Sequence, residues 1–179
     1  MNNSLPHWEI VHTIIFDFDG VFTDNKVYLD QTGVESVACD RSDGLAFDIL
    51  RRFSVINNWI PDCFVLSKES NPVVQKRCQK LNLKCFQSES NKFDFVCSYL
   101  INHSKTPLGT IYLGNDLNDL SIMLKEGIFS VAPQDAHPLI LQYCDLAIDK
   151  NGGNGFVRSF VEKLIKLSDL SVDEVCALS

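Results

Sequence analysis

Thr13-Ile14-Ile15-Phe16-Asp17-Phe18-Asp19-Gly20 is an apolar run that stops at two carboxylates one residue apart. Val11 to Phe16 are mostly β-branched or aromatic, which predicts a strand buried on both faces. Gly20 lets the chain turn away at its end. In open α/β sheets, ligands bind beyond the carboxyl ends of the strands. Asp17 and Asp19 placed there can hold a hard cation, and one of them can attack phosphorus. An Asp-x-Asp also suits a helix cap or a solvated turn, so the rest of the chain decides.

Outward from this run, strand-length and helix-spaced segments alternate. Further strands are predicted over 63–66, 84–86, 110–113, 129–131 and 145–148. Between them, Ala46, Ile49, Leu50 and Phe53 fall at i, i+3, i+4, i+7, with Asp48, Arg51 and Arg52 opposite. Val74, Cys78 and Leu81 form a second stripe, begun by the cap-and-first-turn pair Asn71-Pro72. Phe93, Val96, Cys97 and Leu100 form a third, and Leu117, Leu120 and Leu124 a fourth. Val157, Val161, Leu164 and Ile165 form the last. Repeated strand–helix units call for an α/β doubly wound, mostly parallel sheet covered on both faces.

One segment interrupts the alternation. Residues 26–30 and 35–39 read as two short strands around the turn Asp30-Gln31-Thr32-Gly33, a hairpin flap near the active face. The stretch 54–61 reads as a loop, and the ends, 1–7 and 169–179, as loosely held. With no linker or repeat, the reading is a single domain over 1–179 with its core at about 11–167.

Composition narrows the function classes. The 179 residues are 45% hydrophobic and 22% charged, ordinary globular values that argue against global disorder. A net charge of −7 argues against nucleic acid or an anionic membrane as partner. A small anionic substrate stays possible, because a cation and local Lys or Arg reverse the sign within a cleft. No apolar run approaches the roughly 20 residues of a membrane span, and the first residues lack a signal peptide's pattern. Seven scattered cysteines without a Cys-x-x-Cys pair suit a reducing cytoplasm.

The second chemical element is Gly114-Asn115-Asp116-Leu117-Asn118-Asp119, a strand end rich in acidic and amide oxygens. Sheet topology would bring it beside the first strand end, and two strand tips can supply the protein share of a Mg²⁺ shell. Ser67 closes the run Cys63 to Leu66, where its hydroxyl could donate to a phosphate oxygen, with helix N-termini nearby adding amides. Lys92 heads the third helix and could neutralise charge on a phosphoryl group. Gly152-Gly153-Asn154-Gly155 precedes the last helix as a turn or an anion wrap, and Arg158 beyond it could reach a substrate carboxylate. His137, before Pro138, reads as structural.

Asp17-Phe18-Asp19-Gly20, Ser67, Lys92 and Gly114 to Asp119, in that order, resemble the haloacid dehalogenase superfamily of phosphohydrolases. Within it the chain is similar to the capless branch of 3-deoxy-D-manno-octulosonate 8-phosphate phosphatase, over about Val11 to Ile165. That branch includes nonulosonate 9-phosphate phosphatases and the phosphatase-like domain of acylneuraminate cytidylyltransferases. The resemblance implies Asp17 as nucleophile and metal ligand and Asp19 as acid/base, its backbone carbonyl also on Mg²⁺. It implies Ser67 and Lys92 as phosphate binders, and Asp43, Gly44 and Arg77 as substrate-site positions. It further implies no cap domain, a homotetramer, and sites closed by the flaps and a neighbour's C-terminal tail.

Two departures from that pattern carry information. The superfamily usually has aspartate where Asn115 stands, so the third Mg²⁺ ligand is Asn115, Asp116 or Asp119. The octulosonate enzymes carry Arg at the position of Glu69, whereas the nonulosonate enzymes carry Glu. The expectation is therefore a Mg²⁺-dependent phosphatase of a sugar-acid phosphate, nonulosonate in preference to octulosonate. Asn115 motivates the alternative of a catalytically weak binding or oligomerisation module serving a sugar-acid cytidylyltransferase.

Overall fold

The computed structural model describes residues 4–178. Six parallel strands form one sheet in the order β5-β4-β1-β6-β7-β8. They are β1 (Thr13–Phe16), β4 (Asp62–Leu66), β5 (Lys84–Phe86), β6 (Thr110–Leu113), β7 (Ile128–Pro133) and β8 (Leu146–Ile148). β1 is central, with Phe16 in register with Val65 of β4 and Leu113 of β6. All four residues of β1 and of β6 are buried, as strands covered on both faces require.

Alternation along the strands feeds two cores. Ile14 and Phe16 face one layer, with α1 (Ser42–Ile56), α2 (Pro72–Leu81) and α6 (Phe156–Leu164) packed on it. Ile15 faces the other, beneath α3 (Lys92–Asn102), α4 (Leu120–Met123) and α5 (Pro138–Tyr143). The first, second and last apolar stripes are buried as expected. Asn71 caps α2 by accepting from Val73 N at 3.0 Å, and His137 caps α5 in the same manner. Phe16 meets Phe47 edge-on at 5.4 Å, and Phe18 stacks on Phe22, so aromatic packing fixes the chain just beyond β1.

The structure corrects three expectations. The fourth stripe is not a helix face: α4 spans one turn, Leu117 and Leu124 are exposed, and Ile122 and Met123 provide the buried contacts. The segment 54–61 is not simply a loop, since α1 runs to Ile56 and buried Trp59 donates Nε1–H to the Val11 carbonyl at 2.6 Å. The tail is docked: α7 (Val172–Leu178) packs against α1, with Leu178 buried. Leu5 and Trp8 likewise pack on the core, while residues 1–3 and 179 of the expected loose ends lie outside the described residues.

The hairpin forms where expected but with shorter strands, β2 (Tyr28–Leu29) and β3 (Glu35–Ser36). The Asp30 carboxylate closes its turn by accepting from Thr32 N and Val34 N. No helix among the described residues is long and apolar enough to cross a membrane.

Candidate active site

The carboxyl ends of β1, β4 and β6 converge on one cavity of ≈ 510 Å³. Asp17, Asp19, Ser67, Glu69, Asn115 and Asp116 line it, together with Asn25, Lys68, Leu117 and Asn118. Adjacent parallel strands put their tips at one edge, so the three motifs meet although they are far apart in sequence.

Asp17 closes β1, its N–H donating to Leu113 O at 2.8 Å. Its Oδ1 accepts from Phe18 N and from Lys92 Nζ, both at 2.7 Å. Oδ2 takes no hydrogen bond from any described residue, and Asp17 lines the cavity. Lys92 is the first residue of α3 and only 3% exposed. Its ammonium also donates to Asp119 Oδ1 at 2.9 Å, leaving a third N–H without a described partner. Burial alone would lower the Lys92 pKa, but the Asp17 and Asp119 carboxylates outweigh it and hold the pKa up. Burial, then the Asp119 charge, push Asp17 upward against the pull of Lys92.

Asp119 does something different from what its residue type suggested. It is fully buried. Oδ1 accepts from Lys92 Nζ and from Tyr112 Oη at 2.7 Å, and Oδ2 accepts from the N–H groups of Asn115 and Asp116. Its hydrogen-bonding capacity is thus taken up by the protein, so it braces the loop and Lys92 instead of ligating a cation. Asp119, expected among the metal ligands, thus has both oxygens engaged within the protein. Asn115 keeps its side-chain amide free of hydrogen bonds to described residues and sits on the cavity wall, while its N–H is spent on Asp119.

Asp19 carries no side-chain hydrogen bond to a described residue. Its pKa is raised by burial and by the neighbouring Glu69 carboxylate, partly offset by Lys92, with Glu35 adding to the rise. Ser67 is buried at the end of β4, its Oγ accepting from Glu69 N at 3.0 Å. Glu69 Oε1 accepts from Ser70 N and Asn71 N, which orders the turn into α2.

Four residues expected at the substrate site stand elsewhere: Asp43, Gly44, Arg77 and Arg158 do not line this cavity. Asp43 is buried in the first turn of α1, where Oδ1 accepts from Arg158 N at 3.0 Å and Oδ2 has no partner. Arg77 donates to the Asp40 carbonyl at 2.7 Å, and Arg158 pairs with Glu162 one turn along α6. The Gly-rich turn is not an anion wrap here. Gly153 N donates to Val21 O and Gly152 N to Asp135, and a Cβ on Gly152 would meet Gly20 O at 2.0 Å, so the turn buttresses the loop carrying Asp19.

Lys68 and Asn25 are cavity residues that the sequence reading did not single out, whereas Leu117 and Asn118 line it from the Gly114 to Asp119 motif. Lys68 adjoins Ser67 and was findable by that adjacency. Tyr112 had only one signal, a hydroxyl inside an otherwise apolar strand.

Comparison with known proteins bears on the fold and on the class of protein. No family model matches the chain. A structure of a HAD family hydrolase from Streptomyces avermitilis superposes with a TM-score of 0.84 at 29% identity, covering 94% of this chain and 99% of that one. 3-Deoxy-D-manno-octulosonate 8-phosphate phosphatase of Moraxella catarrhalis, solved with magnesium, phosphate and KDO, shares the fold with a TM-score of 0.79 at 22% identity over 89% and 88% of the two chains. The fold and these likenesses define a phosphatase of the haloacid dehalogenase class. The 3-deoxy-D-manno-octulosonate 8-phosphate phosphatase of Salmonella typhi is 30% identical over 167 residues, 93% of this chain and 85% of that one. The chain belongs to that phosphatase family.

Proposed function

We propose that the protein is a Mg²⁺-dependent phosphomonoesterase of a keto sugar acid, with a nonulosonate 9-phosphate preferred to an octulosonate 8-phosphate. The observation that carries the reading is Asp17: it lines the cavity with one carboxylate oxygen pinned by buried Lys92 and the other free of hydrogen bonds to described residues. The Salmonella typhi and Moraxella catarrhalis proteins are both named for octulosonate 8-phosphate, and the latter was solved with magnesium, phosphate and KDO. Glu69 on the cavity wall favours a hydroxylated or amino-bearing tail over an acidic group, which supports the nonulosonate.

The donor set fits Mg²⁺. Asp17, Asp19 and Asn115 offer hard oxygens that take no hydrogen bond from the described residues, Asp17 being engaged through Oδ1 alone. The third protein donor in this reading is the neutral Asn115 amide oxygen, because that side chain lines the cavity and makes no hydrogen bond to a described residue. Asp116 lines the same wall but spends Oδ1 on Leu117 N. When bound, Mg²⁺ supplies the positive charge that draws an anionic phosphoryl group to this acidic pocket.

Asp17 Oδ2 attacks phosphorus in line, forming a carboxyl–phosphorus bond as the phosphorus–sugar oxygen bond breaks. Asp19, its pKa raised, gives its proton to the departing sugar oxygen. The free N–H of Lys92 and the Ser67 hydroxyl hold phosphoryl oxygens. Asp19 then takes a proton from water as that water attacks phosphorus, releasing inorganic phosphate and restoring Asp17. The protein assembles as a homotetramer of single-domain subunits, supported by the exposed hairpin residues Val27, Tyr28, Leu29 and Val34, and light scattering tests this.

Phosphate release from both sugar-acid phosphates, with Mg²⁺ present and with it chelated, tests the function. Release confined to the Mg²⁺ arm supports it. Equal release in the two arms, or none from either sugar, overturns it.

A further inference from the structure

The cavity over Asp17 continues past Asp19. Beneath the hairpin lies a chamber of ≈ 260 Å³ that shares Asp19, Asn25 and Glu69 with the catalytic cavity. It shares Glu35, Glu69 and Asn71 with a groove of ≈ 720 Å³ at the start of α2. The three hollows thus adjoin in order from the nucleophile, under the flap, to helix α2.

The flap is tied to that helix by a side-chain hydrogen bond: Asn71 Nδ2 donates to Glu35 Oε2 at 2.7 Å. Asn71 is itself fixed, its Oδ1 capping α2 through Val73 N and its N–H donating to Glu69 Oε1. Glu35 is therefore positioned from a rigid helix end, although it rides on an exposed two-residue strand. Its Oε1 takes no hydrogen bond from any described residue.

The chamber's chemistry selects what can enter. Phe18, Val37 and Val74 give it an apolar wall, and Glu35 and Glu69 give it acceptor groups. Among the described residues no Lys or Arg lines it, so a carboxylate placed there would be left unpaired. Hydroxyls or an acylamino N–H on a carbon skeleton suit both walls.

Resting on the phosphatase reading above, we propose that Glu35 is a specificity-determining residue: latched to α2 through Asn71, it accepts from a hydroxyl or amide N–H on the phosphate-distal end of the substrate. The substrate's own carboxylate lies outside this chamber.

The test compares kcat and KM of wild type, Glu35→Gln and Glu35→Ala on three esters: N-acetylneuraminate 9-phosphate, 3-deoxy-D-manno-octulosonate 8-phosphate and p-nitrophenyl phosphate. The expected result is a KM for the better sugar acid raised by Glu35→Ala about tenfold more than that for p-nitrophenyl phosphate, the loss typical of one charge-assisted hydrogen bond. Glu35→Gln falls between the two. Equal effects on sugar and generic ester, or none, overturn the proposal and leave the phosphatase reading standing. A wild type active on p-nitrophenyl phosphate alone overturns the sugar-acid substrate and the role of Glu35 with it. A wild type inert to all three overturns the phosphatase chemistry itself.

Discussion

A Cβ on Gly20 would stand 1.8 Å from the side-chain nitrogen of Asn115. The two strand-end loops touch at this point, and only a residue without a side chain lets the Asn115 amide reach the cavity. Gly20 also has φ +75°, in the left-handed region. Gly20→Ala is expected to cost about 1–2 kcal/mol in backbone strain and to displace Asn115. Thermal unfolding should show the first effect, and a Mg²⁺ titration of phosphate release should show a higher half-maximal Mg²⁺ concentration from the second.

Asn115 leads to a gain-of-function expectation. Asn115→Asp adds a charged oxygen at a position that makes no side-chain hydrogen bond to described residues. The Mg²⁺ concentration for half-maximal rate should fall about tenfold, since hard-cation affinity follows ligand charge. The same variant separates an enzyme from a catalytically silent module, because a silent module would gain metal affinity without turnover.

Lys92 is held between Asp17 and Asp119, and removing it leaves two buried carboxylates with no cation. Lys92→Met should lose roughly 3–5 kcal/mol of stability by denaturant titration, the usual cost of breaking a buried pair by deleting one partner. Asp119→Asn should lose turnover and some stability, because the amide keeps the shape but loses the charge that fixes Lys92 and turns an NH2 toward donors that an oxygen had satisfied.

Asp43 gives a pH signature away from the cavity. Burial raises its carboxyl to about 7, the Arg158 N–H bond working against the rise. The unfolded carboxyl titrates near ~3.9, so between those values the folded protein binds more protons than the unfolded chain. Stability should therefore be fully present below the lower value and fall as pH rises through the window, by up to roughly 4 kcal/mol. Chemical denaturation of wild type and Asp43→Asn between pH 5 and about 8 checks this, since the variant should show a shallower slope by the share that Asp43 contributes, the raised Asp17 and Asp19 carboxyls keeping theirs.

Much of the architecture was legible because long-range sheet packing leaves local marks. The buried run ending at Asp17, the Ala46 to Phe53 stripe and the Asn71-Pro72 cap each follow from backbone and side-chain rules acting within a few residues. The failures share a cause: they concern partners distant in sequence. Leu117 looked like a helix face, but the loop Asp119 braces turns it to the cavity, and α4 is left one turn long. Asp119 looked like a ligand because its four hydrogen-bond donors lie on three separate elements. Arg158 and Asp43 looked like substrate groups, yet they bond across α6 and α1. The glycines before α6 resembled an anion wrap, while the backbone they must approach is that of Gly20 and Thr23.

Covalent capture of phosphate by Asp17 tests the central claim most directly. A single turnover with radiolabelled sugar-acid phosphate, quenched in acid and mapped by peptide, should place the label on the peptide containing Asp17. Asp17→Asn should carry none. Label on another residue, or free labelled phosphate with no protein-bound stage at any quench time, would contradict the account.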